Sequence, residues 1–140
     1  GIADVVTPNI PEAEILAGLS IKTEDDMRRA AEAIAQRGAK NVLVKGGHRL
    51  ARGAADLLFS AGTCRFFRAE RIETKNTHGT GCTLSAAIAC RLARGDTVEE
   101  AVQAAKEYIT QAIVDNYDVG KGNGPVGHLT ALYRRAGLET

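Results

Sequence analysis

The run Asn76-Thr77-His78-Gly79-Thr80-Gly81-Cys82-Thr83 holds the residue types best suited to chemistry in this chain. Two glycines flank a threonine and a thiol follows at once. Leu84-Ser85-Ala86-Ala87-Ile88-Ala89-Cys90-Arg91-Leu92-Ala93 then continues with good helix formers and apolar residues at helical spacing. A glycine loop therefore opens directly into a helix. The first turn of a helix leaves backbone N–H groups without partners, and the helix dipole is positive at that end. Gly79 and Gly81 let an anion approach those donors closely. Cys82 stands in the same positive field, which favours a thiolate. An anion cradle with an activatable base beside it points to phosphoryl transfer, with Gly79, Thr80, Gly81 and Cys82 as the candidate catalytic group.

The loop is neither a Walker A loop, whose lysine and spacing are missing, nor a dinucleotide fingerprint, whose third glycine is absent. A Gly-Thr-Gly triplet before a helix also suits a tight turn with close helix packing, and the triplet alone leaves both readings open. The other two thiols read differently. Cys90 lies inside the apolar helix and Cys64 enters a strand-like run, so both are expected to be small buried hydrophobes.

The elements that must position this loop follow from the pattern. Ala3–Thr7 reads as a short strand ended by Pro8. Pro11 can open a short helix over 12–17, stopped by Gly18. Thr23 is an N-cap for a helix over 24–36, with Met27, Ala30, Ala31, Ile34 and Ala35 on one stripe. Asn41–Lys45 has the continuous apolar character of a strand covered on both faces. Residues 55–60 and 63–68 read as a hairpin turning at Ala61-Gly62, and 71–74 as one more short strand. Helices are expected over about 82–94, from a Thr97/Glu100 capping box to about Val114, and over about 128–136. Alternating strands and helices argue for an α/β layer with a mainly parallel sheet. Ligands in such sheets bind beyond the carboxyl ends of strands. Thr7-Pro8-Asn9, Lys45-Gly46-Gly47-His48 and the glycine loop all fall at such ends.

A chain of 140 residues suits one domain with a real core. A net charge of +1, with dispersed basic residues and only three Phe and three Tyr, argues against nucleic acid or an anionic membrane as partner. Three cysteines at irregular spacing suggest a reducing compartment and make the cytoplasm the expected location. No apolar stretch reaches membrane-spanning length and no signal peptide is visible. Gly1 to Pro8 carries no initiator Met and runs straight into a strand-like segment, as a chain entered mid-domain would.

Thr7-Pro8-Asn9-Ile10-Pro11-Glu12-Ala13, Val42-Leu43-Val44-Lys45-Gly46-Gly47-His48, the glycine loop and Gly122-Asn123-Gly124-Pro125-Val126 together resemble the hydroxymethylpyrimidine/phosphomethylpyrimidine kinases of thiamine biosynthesis, within the ribokinase-like superfamily. The resemblance covers essentially the whole chain in order, but only the C-terminal half of that family. It implies a three-layer α/β/α ribokinase-like fold with a mainly parallel sheet, here one partial kinase domain over residues 1–140. It also implies ATP-dependent phosphorylation of 4-amino-5-hydroxymethyl-2-methylpyrimidine and of its monophosphate. Gly79, Thr80 and Gly81 would form the anion hole, whose preorganised donors are worth roughly 3 kcal/mol each in comparable sites. Cys82 falls where many ribokinase-like enzymes carry an aspartate and would accept the proton of the attacking hydroxyl. The loose transition state needs little early deprotonation, so a weaker base is tolerable there.

Asn9 and Glu12 match the superfamily's Asn-x-x-Glu pattern. Glu12 would hold Mg2+ through water, although a carboxylate there also complements a helix N-terminus. Lys45, Asn9 and Gly81 are the expected nucleotide-binding residues. A triphosphate suits the Lys45 ammonium, and so does a nearby carboxylate. His48 and His128 read as structural, and His78 as orienting the glycine loop. Gly120 to Pro125 suits either closure over nucleotide or a plain connector. A pyridoxal kinase is the close variant, since both substrates are aromatic rings bearing a hydroxymethyl group. A non-catalytic phosphate-binding fragment is the alternative from another class. Alone, the chain is expected to be weakly active or inactive, and to form a homo-oligomer that covers an unpaired strand edge.

Overall fold

Val42, Leu43 and Val44 are fully buried, and the strand that carries them is the spine of the first half of the molecule. The structure, a computed structural model, describes residues 3–47, 54–69, 79–115 and 124–137. The chain divides into two compact units, residues 1–71 and 72–140.

The first unit holds β1 (Val5–Val6), α1 (Ile10–Ala17), α2 (Glu24–Gln36), β2 (Asn41–Lys45), β3 (Ala54–Ser60) and β4 (Thr63–Ala69). The sheet order is β1-β2-β3-β4. β1 runs parallel to β2, and β2, β3 and β4 pair antiparallel. The mainly parallel sheet expected from strand–helix alternation is therefore mixed among the described strands. Ala61 (φ 49°) and Gly62 (φ 76°) both take the left-handed conformation that a two-residue hairpin turn requires, and this folds β4 straight back on β3, the antiparallel piece expected of the hairpin; the antiparallel pairing of β2 with β3 adds a second. Val42, Val44 and Leu57 pack with Ile10 and Ala13 of α1 and with Met27, Ala30, Ala31 and Ile34 of α2. Leu43 points to the opposite face, as its place between Val42 and Val44 dictates, and pairs with the buried Leu58.

Gly46 shows why β2 must end in glycine. A Cβ placed there would lie 1.9 Å from the backbone oxygen of Ala55. The Gly46 N–H donates to Oδ1 of Asp56 at 3.0 Å, and Asp56 is itself buried.

The second unit holds α3 (Thr80–Ala93), α4 (Val98–Val114) and α5 (Thr130–Arg135). Leu84 and Ile88 of α3 are buried, as are Ala101, Val102, Ala105, Ile109 and Ala112 of α4. The segment after α4 returns to it, where the Gly127 N–H donates to the Ala112 oxygen at 2.8 Å. Cys90 is exposed and not buried, and so are Ala86, Ala89 and Ala93 on the same helix. The expectation of a buried Cys90 is therefore corrected: Leu84 and Ile88 take the buried positions of α3, and Cys90 lies on its exposed side. Cys64 is half-buried, and burial pushes its thiol up, against the pull of Arg28. The expected strand over 71–74 lies outside the described residues. Among the described residues no helix is long and apolar enough to cross a membrane.

α2 and α4 begin with capping boxes whose carboxylates are charged when bonded. The Lys22 amide and then the Thr23 hydroxyl hold Asp26 below the usual carboxyl range. The Thr97 hydroxyl and then its amide do the same for Glu100. A carboxyl lowered in the folded state contributes fully above its ordinary value, 4.5 for Glu100, and the contribution is lost as pH falls through the folded value.

Two outcomes follow from this packing. Gly46→Ala is expected to destabilise the chain by about 3 kcal/mol in urea denaturation, because the added methyl meets backbone and not a movable side chain. The Cβ at Gly47 meets nothing within 4 Å. Gly47→Ala should therefore cost only the left-handed strain of about 1–2 kcal/mol, and equal losses at both positions would contradict the close approach. Glu100→Gln should flatten the acid limb of the stability–pH curve, and an unchanged limb would remove the capping carboxylate as its cause.

Candidate active site

The three longest helices apart from α3 complete their own N-termini. Asn9 caps α1 with Glu12 reciprocating, Thr23 caps α2 with Asp26, and Thr97 caps α4 with Glu100. Each of these helices also carries at least one carboxylate in its first turn. α3 has neither device. Its N-cap is Gly79, with φ 82° and ψ 0°, no side-chain cap and no acidic residue in the first turn. The Thr83 N–H closes the first turn on the Gly79 oxygen at 2.9 Å. The amides of Thr80, Gly81 and Cys82 donate to no described residue. The positive end of α3 thus keeps both its donors and its uncompensated field, the combination that binds anions.

Gly79 is required for its conformation and not for room, since a Cβ there would meet nothing within 4 Å. Any L-residue in that left-handed position costs about 1–2 kcal/mol. Cys82 is exposed in the first turn. The Ser85 hydroxyl, one turn on, donates back to the Gly81 oxygen at 3.1 Å, so it is not a donor to this site.

In the first unit the ends of two parallel strands lie side by side. Asn9 bridges to Lys45, and the Lys45 N–H donates to the Pro8 oxygen at 2.8 Å. The structure therefore brings together Asn9, Glu12 and Lys45. The Asn9–Glu12 pair is a capping box: the Glu12 N–H donates to Asn9 Oδ1 at 2.9 Å and the Asn9 N–H donates to Glu12 Oε2 at 2.8 Å. One carboxylate oxygen of the exposed Glu12 is thus engaged, and Oε1 makes no hydrogen bond to a described residue.

Lys45 faces Asp56 across the ladder. That carboxylate is turned to the Gly46 amide, and Lys45 makes no ion pair with a described residue. Sequence reasoning passed over Asp56, although a lone charge between Ala55 and Leu57 in a buried strand is a usable signal. Among the described residues no group of three or more His, Cys, Asp or Glu is placed to hold a metal ion.

A cleft of about 540 Å³ opens between α3 and α4. Alanines 86, 87, 104 and 105 line it, together with Cys90, Tyr108 and His128, and Thr83 brings it to the first turn of α3. His128 stacks on Tyr108 with ring centroids 6.4 Å apart, and its Nδ1 lies 3.2 Å from the Tyr108 hydroxyl. His128 was expected to be structural. It does brace Tyr108, and it also walls the cleft. The two residues stand 20 apart in sequence, so no local pattern links them. Asn76, Thr77, His78, His48 and Gly120 to Asn123 lie outside the described residues.

Residues 1–127 match the family model described as phosphomethylpyrimidine kinase. A hydroxymethylpyrimidine/phosphomethylpyrimidine kinase of Streptomyces coelicolor is 48% identical over 131 residues, which are 94% of this chain and 48% of that protein. A thiamine biosynthesis bifunctional protein of Geobacter sulfurreducens is 52% identical over 130 residues, 93% of this chain and 26% of that protein. Among solved structures, an ADP complex of Bacillus subtilis pyridoxal kinase superposes with a TM-score of 0.86 at 42% identity, covering 93% of this chain and 49% of that one. The fold is α/β of the ribokinase-like kind. The chain spans about half the length, or less, of the relatives it matches.

Proposed function

This chain belongs to the phosphomethylpyrimidine kinase family, and we propose that it is the phosphoryl-transfer half of a kinase that acts on 4-amino-5-hydroxymethyl-2-methylpyrimidine and then on its monophosphate, with ATP as donor. The observation that carries the reading is the start of α3, where three backbone donors and the helix field are left for an anion. Donors fixed before the reaction stabilise charge on a moving phosphoryl group without reorganisation. In this reading the amides of Thr80, Gly81 and Cys82 hold the oxygens of the transferring group. The Cys82 sulfur, exposed beside them, orients the acceptor hydroxyl. As the new O–P bond forms, the bond from that phosphorus to the bridging oxygen of ATP would break and ADP would leave, while the Cys82 sulfur would take up the hydroxyl proton. When bound, MgATP supplies the phosphoryl group and a divalent charge upon it.

Each unit, taken by itself, carries residues suited to a part of such a ligand. The cleft beside Thr83 has small alanine walls and an aromatic end at Tyr108, which suits a flat base. Lys45 makes no ion pair with a described residue and is assigned to the nucleotide phosphates, with Asn9 beside it. Glu12 keeps one carboxylate oxygen available to hold Mg2+ through water, and a site with few protein ligands is usual for that ion. A pyridoxal-like substrate is the second reading, favoured by the structural likeness to pyridoxal kinase. The pyrimidine is preferred because the family model and the curated relatives are pyrimidine kinases. The family's activity is a small-molecule one, and the expected setting is the cytoplasm. Alone, the chain turns over weakly or not at all, and copies of it self-associate.

Calorimetric titration of the 140-residue chain is expected to show binding of MgATP and none of the pyrimidine. Ala87→Phe, which fills the cleft, should weaken nucleotide binding about tenfold, or about 1.4 kcal/mol. No heat with MgATP from a folded chain would overturn the reading. In a full-length enzyme carrying this chain, Cys82→Ala should lower kcat by about 100-fold with little change in KM. Unchanged turnover would remove the thiol from the mechanism.

A further inference from the structure

Few polar side chains border the cleft between α3 and α4. Besides the Cys90 thiol, Thr83 stands at the first turn of α3, and Arg91 is ion-paired with Asp96. The others are Tyr108 and His128, and these two are tied to each other. The Tyr108 hydroxyl lies 3.2 Å from His128 Nδ1 and 3.4 Å from the His128 main-chain oxygen. Tyr108 is 40% exposed, so it is open to a ligand.

This pairing decides what the phenol can offer. A tyrosine hydroxyl has one proton to donate and lone pairs to accept with. When His128 Nδ1 carries no proton, the hydroxyl donates to it. When Nδ1 carries a proton, Nδ1 donates to the phenol oxygen, and the phenol's own proton turns to the His128 main-chain oxygen. In either state the single proton is spent on His128, and the phenol oxygen keeps a lone pair. Tyr108 therefore meets a ligand as an acceptor, whereas a tyrosine without such a neighbour could play either part.

We propose that Tyr108, held as an acceptor by His128, selects a nucleotide whose base carries an amino group on its edge over one that carries an oxygen there. The inference deepens the proposed function and rests on its placement of the base in this cleft. An amino group donates to the phenol oxygen. A carbonyl oxygen in the same place sets two acceptors face to face, and a polar group left unmatched costs more than a hydrogen bond gains. His128 acts through Tyr108 and is a positioning residue: it sets the direction of the phenolic proton.

The test is calorimetric titration of the 140-residue chain with three magnesium complexes: ATP, ITP, whose base has an oxygen in place of the amino group, and tripolyphosphate, which has no base. MgATP is expected to bind about tenfold more tightly than MgITP. Tyr108→Phe, which keeps the ring and loses the oxygen, should bring the two affinities within about twofold of each other. His128→Phe keeps an aromatic neighbour but releases the phenolic proton from Nδ1. It should cut the preference about threefold through tighter MgITP binding, whereas a purely bracing role would weaken both nucleotides alike. Neither substitution should alter the tripolyphosphate affinity, which also reports that each variant is folded. Equal binding of MgATP and MgITP, or a preference that survives Tyr108→Phe, would overturn the proposal and leave the phosphoryl-transfer reading standing. Binding of neither MgATP nor tripolyphosphate by the folded chain would overturn both.

Discussion

The first amides of an α-helix have no partner within the helix, and this chain meets that constraint in two ways. α1, α2 and α4 satisfy it with a side chain and a reciprocating carboxylate. α3 begins on a glycine and satisfies it with nothing from its own first turn. The contrast lies within one chain, so it does not reflect a general lack of capping residues. Capping boxes make a helix start electrically quiet. The glycine start leaves a focused positive pole with three donors, and the proposed chemistry depends on that pole.

The first unit is built around a different constraint, the approach of two backbones at the end of β2. Gly46 has no room for a side chain, and its N–H is met by a buried carboxylate from the neighbouring strand. Asp56 stands opposite Lys45 in the ladder. Lys45 is half-buried and makes no ion pair with a described residue. The Asn9–Glu12 pair caps α1 and still presents one carboxylate oxygen outward, so a folding role and a ligand role are compatible in the same two residues.

Much of this was legible in the residues. The bounds of α2 and β2 and the Ala61-Gly62 turn follow from caps, periodicity and φ requirements that act over a few residues. α3 starts at Thr80 and not at Cys82, because a glycine cap leaves no side-chain signature. The hairpin was readable, and with it an antiparallel piece of sheet; the antiparallel pairing of β2 with β3 carries no local signal, and it extends the mixed character of the sheet. Cys90 shows the limit of periodicity, which tells which residues share a face and not what covers that face. Asp56 and the Tyr108–His128 pair depend on neighbours distant in sequence, and only the fold brings those neighbours together.

The central claim is that the amides of residues 80–82 receive the anion. The most direct measurement is amide NMR of the nitrogen-15-labelled chain during titration with MgADP and, separately, with inorganic phosphate. The account predicts that the Thr80, Gly81 and Cys82 resonances move first and furthest, downfield as each N–H gains an acceptor. Saturable binding that leaves those three resonances in place would contradict it.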